Sequence, residues 1–206
     1  MRQKHDTMTM LEYEHKYISQ NLINIAGVDE VGRGPLAGPV VVACVIMPLG
    51  DDDIIQGVND SKKLSEKKRE MLYDIILERA VAYRIELADE KRIDQINILN
   101  ATKECMKKSI ENMPIQPNVV LIDAVEIDTN VPIEPIIKGD AKSYSIACAS
   151  IIAKVYRDRM MKEYEITYPG YGFASNKGYG SAQHIQAIKE KGACPIHRRT
   201  FIKNFV

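Results

Sequence analysis

The sequence predicts an α/β fold, a mixed sheet flanked by helices. Short apolar, β-branched runs of strand length recur along the chain, segments of helical length and pattern separate them, and capping or turn residues punctuate the joins. Two of the apolar runs also stop at an acid, so the fold class comes with a candidate site at one edge of its sheet.

Residues 1–20 are polar and amphipathic and read as a helix or loose arm ahead of the main domain, residues 21–206. Ile25-Ala26-Gly27-Val28 is a first short strand that stops at Asp29-Glu30, and Pro39 to Met47 is a second. Gly32-Arg33-Gly34-Pro35-Leu36-Ala37-Gly38 between them is rich enough in glycine and proline to turn the chain, which pairs the two runs. Ser65 is placed to cap a helix that runs to about Arg79, with Met71, Leu72, Ile75, Ile76 and Leu77 as its apolar stripe. Ala82 to Leu87 reads as a strand, and Asn97 to Asn112 as a helix ended by Pro114 and Pro117. Val119-Val120-Leu121-Ile122 is a continuous apolar strand that stops at Asp123, and Ile133 to Lys138 is another strand. A long helix follows from about Lys142 to Glu163, in which Ala147, Ala149, Ser150 and Ala153 are small enough to pack closely on a sheet. Pro169 to Gly180 is a loop with four glycines, Ser181 to Lys191 is the last helix, and the part from about residue 165 onward reads as a small helical appendage.

Composition narrows the class of function. The 206 residues are 45% hydrophobic and 27% charged, an ordinary globular balance with zero formal charge, so no general attraction to polyanions follows from the total. The distribution is uneven. Tyr171 to Val206 carries six Lys or Arg against Glu190 alone, a basic end on an acidic body, which is compatible either with nucleic acid binding or with a solvated helix. The charged stretch from Met1 to Tyr17 is no signal peptide and no apolar run is long enough to span a membrane, so the expected setting is cytoplasmic, and the expected state a monomer. Cys44, Cys105, Cys148 and Cys194 lack the spacing of a zinc site or disulfide framework.

Strands aligned side by side would deliver Asp29 and Asp123 to one sheet edge. Gathered carboxylates repel each other unless a cation compensates, and oxygen-only donors suit Mg²⁺ or Mn²⁺. Gly27 and Gly32 also have the spacing of a phosphate-binding loop, but Arg33 and Gly34 stand where such a loop has Lys and Ser or Thr, and Asp29 and Glu30 would face the phosphates. Adjacent strand residues point to opposite faces, so Asp29 and Glu30 can share a site only if the strand ends or bulges there.

At this point the residues resemble a known family. Gly27-Val28-Asp29-Glu30-Val31-Gly32-Arg33-Gly34-Pro35-Leu36-Ala37-Gly38-Pro39-Val40 resembles the opening motif of the ribonuclease HII family. Asn59-Asp60-Ser61-Lys62-Lys63-Leu64, Val120-Leu121-Ile122-Asp123, Lys138-Gly139-Asp140-Ala141-Lys142-Ser143, Ala149 to Val155 with Arg157-Asp158, Lys177-Gly178-Tyr179-Gly180, and His197 to Phe201 follow in the family's order, over about residues 24–201. Gly180 and Cys148 depart from it, standing where many relatives have Pro and Ala. The sister family ribonuclease HIII carries an added N-terminal domain, and the short N-terminus and Gly32-Arg33-Gly34 argue against it.

The resemblance implies an RNase H-like fold with a small C-terminal helical part and four metal-binding catalytic carboxylates, Asp29, Glu30, Asp123 and Asp140. Asp158 competes for the fourth place, but its position inside the long helix between Arg157 and Arg159 suits a local ion pair, whereas Asp140 precedes that helix. The implied reaction hydrolyses the RNA strand of RNA–DNA hybrids and cuts on the 5′ side of ribonucleotides in duplex DNA, with Mg²⁺ or Mn²⁺ as cofactor. Gly32, Arg33 and Gly34 would approach the ribose, Tyr179 would stack on the following sugar, and Lys62, Lys142, Ser143 and the basic C-terminal residues would meet the substrate backbone. The competing reading is a nucleic acid binding module that keeps the fold without catalysis.

Overall fold

The computed structural model describes residues 7–123 and 125–204. Its sheet has five strands, β1 (Ile25–Val31), β2 (Val40–Ile46), β3 (Ala82–Ala88), β4 (Val119–Ile122) and β5 (Ile133–Pro135), in the order β3-β2-β1-β4-β5. Neighbouring β3, β2 and β1 are antiparallel, while β4 and β5 join parallel to β1, which makes the sheet mixed. The helices are α1 (Glu12–Ile18), α2 (Glu66–Arg79), α3 (Glu90–Ile96), α4 (Ile98–Glu111), α5 (Tyr144–Thr167), α6 (Phe173–Asn176) and α7 (Ala182–Lys191).

Alternation along the strands divides the core between the two faces of the sheet. On β2, Val41, Ala43 and Val45 pack with Leu72 and Ile76 of α2 and with Ala147, Ile151 and Ile152 of α5. Val40, Val42, Cys44 and Ile46 pack on the other face with Ile93 of α3 and Ala101, Cys105, Met106 and Ile110 of α4. Gly27 faces α5: a Cβ there would stand 2.1 Å from the Ser145 carbonyl carbon, so only glycine lets the helix lie this close to β1. A smaller cluster built on Met161, Tyr171, Phe173, Ile188, Ile196 and Ile202 holds the C-terminal helical part to the end of α5.

Several boundaries differ from the sequence reading for local reasons. The predicted strand to Lys138 stops at Pro135, and Lys138 takes a left-handed backbone (φ 59°) before a 3-10 turn at Gly139–Ala141. Helix α5 starts at Tyr144 because Ser143 caps it, its Oγ accepting from the Ile146 N–H at 3.2 Å. Helix α3 had no counterpart in the sequence reading, since it is seven residues long with one buried residue, Ile93; Asp89 caps it. The first six residues of the predicted N-terminal arm lie outside the described residues; its later part contains α1. No helix among the described residues is long and apolar enough to cross a membrane.

Candidate active site

The acids stand where β1 and β4 part. β4 pairs with β1 only as far as Ile122 opposite Val28, so the next residues, Asp123 and Asp29, leave the ladder together. β1 itself neither ends nor bulges at Asp29, contrary to the expectation that one of these must happen. Its register with β2 continues unbroken through Asp29 opposite Ala43, Glu30 opposite Val42 and Val31 opposite Val41. Asp29 therefore shares the α5 face with Gly27, and Glu30 the opposite face with Val28. Both nevertheless border the same gap, because among the described residues no strand covers that edge of β1 past Ile122.

Asp140 arrives from the 3-10 turn that precedes α5 and is buried. Asp123 ties this turn to β4, its Oδ1 accepting from the Gly139 N–H at 3.2 Å. Lys62 reaches in from the loop before α2, with Nζ 3.3 Å from Asp140 Oδ2 while its side chain stays largely in solvent. On the other side Arg33 Nη1 donates to Glu30 Oε1 at 3.3 Å. Glu30 Oε2 is buried without a hydrogen-bond partner among the described residues.

Burial pushes the Asp29 carboxyl well above the usual carboxylate range. Glu30 and Asp140 push it further, against the Ser150 hydroxyl and the Glu30 N–H. Glu30 is raised as well, by burial and by Asp123, although Arg33 pulls it down. Asp29 and Glu30 are thus destabilised as anions, by burial first and by neighbouring acids second, the condition that a cation relieves. The donors are all oxygen, one of them, Glu30 Oε2, has no other partner among the described residues, and this set suits a hard divalent ion. Among the described residues no three His, Cys, Asp or Glu side chains close on a single point, so the cluster is a loose rim of acids.

The expected sugar-reading residues lie beside this rim. Gly32 has φ +94°, and a Cβ on it would meet Arg157 Nε at 2.3 Å and the Pro39 carbonyl at 2.8 Å. Gly34 is open, its nearest neighbour being the Tyr179 ring, whose Cε1 would lie 3.6 Å from an added Cβ. Tyr179 is exposed, so the glycine loop and the tyrosine form two sides of one surface feature. Lys142 is exposed in the turn after Asp140.

Three expected substrate contacts do not reach that surface, the first being Gly32, which is buried against Arg157 and Pro39. Ser143 is fully buried, its Oγ donating to Glu14 Oε1 at 2.7 Å while it caps α5. Arg198, counted among the basic residues that would hold phosphates, is also fully buried. Its Nη2 donates to the carbonyls of Gly32 (2.6 Å) and Gly38 (2.8 Å), its Nε to Gly38 (2.9 Å) and its Nη1 to Arg33 (2.9 Å). Arg157 holds the same loop from α5, donating to the carbonyls of Pro39, Ala37 and Lys177. Neither arginine's structural role was read from the sequence. The available signal was the position of Arg157 one turn from Ala153 and Met161, on an apolar helix face.

Asp158 lies in an ion pair, with partners other than its sequence neighbours. Lys154 Nζ is 2.8 Å away and Arg69 Nη2 4.0 Å, while Arg159 turns to Glu70. Arg69 also donates to the carbonyls of Ser61 and Leu64, so Asp158 steadies the loop that carries Lys62. Ser61 Oγ and Ser150 Oγ, 2.9 Å apart, link that loop to α5 beside Asp29.

The sequence pattern of the family described as Ribonuclease HII matches residues 26–204, which contain every acid of the rim. The chain is 53% identical to the ribonuclease HII of Ruminiclostridium cellulolyticum over 100% of its own length and 82% of the relative's. It is 58% identical to that of Lachnoclostridium phytofermentans, over 94% of this chain and 75% of the other. Among solved structures, ribonuclease H2 from Pyrococcus horikoshii OT3 superposes with a TM-score of 0.76 at 28% identity, covering 88% of this chain and 96% of that one. Sequence pattern, near-full-length relatives and fold agree, and the chain belongs to the ribonuclease HII family.

Proposed function

We propose that this endonuclease hydrolyses the RNA strand of RNA–DNA hybrids and cuts on the 5′ side of ribonucleotides embedded in duplex DNA, leaving 3′-hydroxyl and 5′-phosphate ends. The observation that carries the reading is the rim of Asp29, Glu30, Asp123 and Asp140 at the open end of β1 and β4, beside a glycine loop and an exposed tyrosine. The four acids would hold Mg²⁺ or Mn²⁺. Held there as a pair, such ions would supply an activated water near the scissile phosphate and positive charge for the departing 3′ oxygen.

The remaining parts divide the work of recognition. Lys62, its ammonium beside Asp140, and the exposed Lys142 lie where a phosphate next to the scissile bond would pass, and such contacts orient a duplex without reading its sequence. Gly34 leaves its backbone open to a ribose, where the 2′-hydroxyl separates RNA from DNA, and Arg33 borders the same approach. Tyr179 offers a ring face to the sugar that follows. A deoxyribose presents an apolar face there, and an added 2′-hydroxyl would crowd the ring.

The test is cleavage of a labelled RNA–DNA hybrid across a Mg²⁺ titration, by wild type and by Glu30→Gln and Asp123→Asn, with metal binding followed separately by calorimetry. Loss of an outer partner in a metal site commonly costs 10–100-fold, so loss of a ligand is expected to cost at least about 100-fold. Both variants should bind metal more weakly. Hybrid retention without cutting by the wild type would reduce the chain to a binding module, and near-normal cleavage by both variants would remove these acids from the site.

A further inference from the structure

We propose that His184 and His197 form a neutral, directional hydrogen-bond relay that positions Tyr179 against the Gly32–Gly34 loop, making the pair positioning residues for ribonucleotide recognition. The inference rests on the reading of Tyr179 given above. It starts from two buried imidazoles that no catalytic step uses, His184 on α7 and His197 in the C-terminal segment, with their Nε2 atoms 3.0 Å apart.

A contact between two ring nitrogens at that distance needs one proton, and the outer partners decide which ring carries it. The backbone N–H of Cys194 donates to His197 Nδ1 at 3.0 Å, so that nitrogen is an acceptor. Cys194 Sγ at 3.1 Å and the Cys194 carbonyl at 3.3 Å also approach Nδ1, but a proton placed there would face the Cys194 N–H. His197 therefore carries its proton on Nε2 and donates to His184 Nε2. His184 in turn carries its proton on Nδ1 and donates to the Tyr179 carbonyl at 2.8 Å. Every ring nitrogen has a partner only with this pair of tautomers.

Both ends of the relay are fastened to the glycine loop. The Gly38 N–H donates to the Ile196 carbonyl and the Arg198 N–H to the Leu36 carbonyl, each at 2.9 Å, so the segment around His197 moves with residues 36–38. At the tyrosine end the Leu36 N–H donates to the Gly178 carbonyl at 2.8 Å, and Gly178 lies so close to the Ala37 carbonyl that a Cβ would stand 2.4 Å away. Tyr171 and Phe173 enclose the two rings at centroid distances of 5.0–6.3 Å. In that cage a second proton would set two N–H groups against each other, and burial holds both imidazoles below their ordinary range, His197 at about 4. The gap between the Gly34 backbone and the Tyr179 ring, which a deoxyribose would have to fit, is thereby set by a rigid polar chain.

Two measurements test this. In ¹⁵N-labelled wild type at pH 7, His197 should be the Nε2–H tautomer and His184 the Nδ1–H tautomer; reversed tautomers or a protonated ring would overturn the relay. In cleavage assays the readout is the ratio of rates on a duplex with one embedded ribonucleotide and on a continuous RNA strand. His184→Ala should lower this ratio about fivefold or more, whereas His184→Asn, whose amide can still donate at the Nδ1 position, should restore most of it. In a Tyr179→Ala background, His184→Ala should add nothing, because both changes act through one ring. If Tyr179→Ala leaves the ratio unchanged, the reading of Tyr179 fails and this inference with it. If Tyr179→Ala shifts the ratio but His184→Ala does not, or the two losses add, the relay alone is wrong.

Discussion

Replacement of Arg198 by alanine isolates what holds the glycine loop in shape. The guanidinium makes four N–H···O contacts of 2.6–2.9 Å to three carbonyls, those of Gly32, Arg33 and Gly38, and is fully buried. Each orphaned buried carbonyl costs about 1–3 kcal/mol. Removing the arginine also removes its own desolvation cost, and water entering the vacated space satisfies part of the loss, so a net destabilisation of about 3–5 kcal/mol is expected. In a protein of this size 1 kcal/mol moves the melting temperature by about 2–4 °C, which puts the fall at about 6–20 °C. Arg198→Lys should recover little, because one ammonium cannot reproduce a planar fork on three carbonyls. The assay is a thermal melt paired with cleavage of a single-ribonucleotide duplex well below the variant's melting point, where the loosened loop should still depress the rate. A melting temperature within about 2 °C of wild type, with normal cleavage, would refute the claim that Arg198 sets the loop.

Asp29→Asn should lower hybrid cleavage at least about 100-fold while leaving the metal-free protein as stable as wild type or more so. Asp29 is raised by burial and by Glu30 and Asp140, so its share of stability is complete below the unfolded carboxylate pKa and is lost as pH rises through the folded one; in EDTA the variant should lack that decline. Asp140→Asn should impair cleavage at an unchanged melting temperature. Asp158→Asn should do the reverse, destabilising by about 1–3 kcal/mol as Lys154 and Arg69 lose their partner; the opposite pattern would exchange their roles. His197 is held at about 4 against an ordinary value of 6.5, so the unfolded chain binds more protons between those values and stability falls as pH drops from about 6.5 to about 4. His197→Gln should lack that part of the slope in urea titrations run side by side with wild type.

The strands that position the site were legible because the apolar runs Ile25–Val28 and Val119–Ile122 are each followed directly by an acid, a pattern that needs only local chemistry to read, although β1 itself continues past its acids to Val31. Gly32 and Gly34 were legible as a turn for the same reason. Which polar residues would be drawn into the interior was not legible, because that depends on what faces them from far along the chain. Ser143 looks like a surface residue after Lys142 until Glu14, 129 residues earlier, is folded against it. Arg198 looks like one more cation of a basic tail until the carbonyls of residues 32–38 surround it. Strand alternation posed the Asp29–Glu30 problem, but the expected end or bulge does not occur; β4 stops at Ile122 instead, which leaves the edge of β1 beside both acids unpaired among the described residues.

The role proposed for the acid rim and the adjacent glycine loop is incision at a ribonucleotide in DNA. The most direct measurement is incubation of a duplex with one embedded ribonucleotide, labelled at either end, with the protein and Mg²⁺ or Mn²⁺, followed by mapping of the break and its termini. A single incision is expected on the 5′ side of the ribonucleotide, leaving a 3′-hydroxyl and a 5′-phosphate, with no cutting of the all-DNA duplex or in EDTA. Metal-independent cleavage, a break on the 3′ side, or cutting of the all-DNA duplex at a similar rate would contradict it.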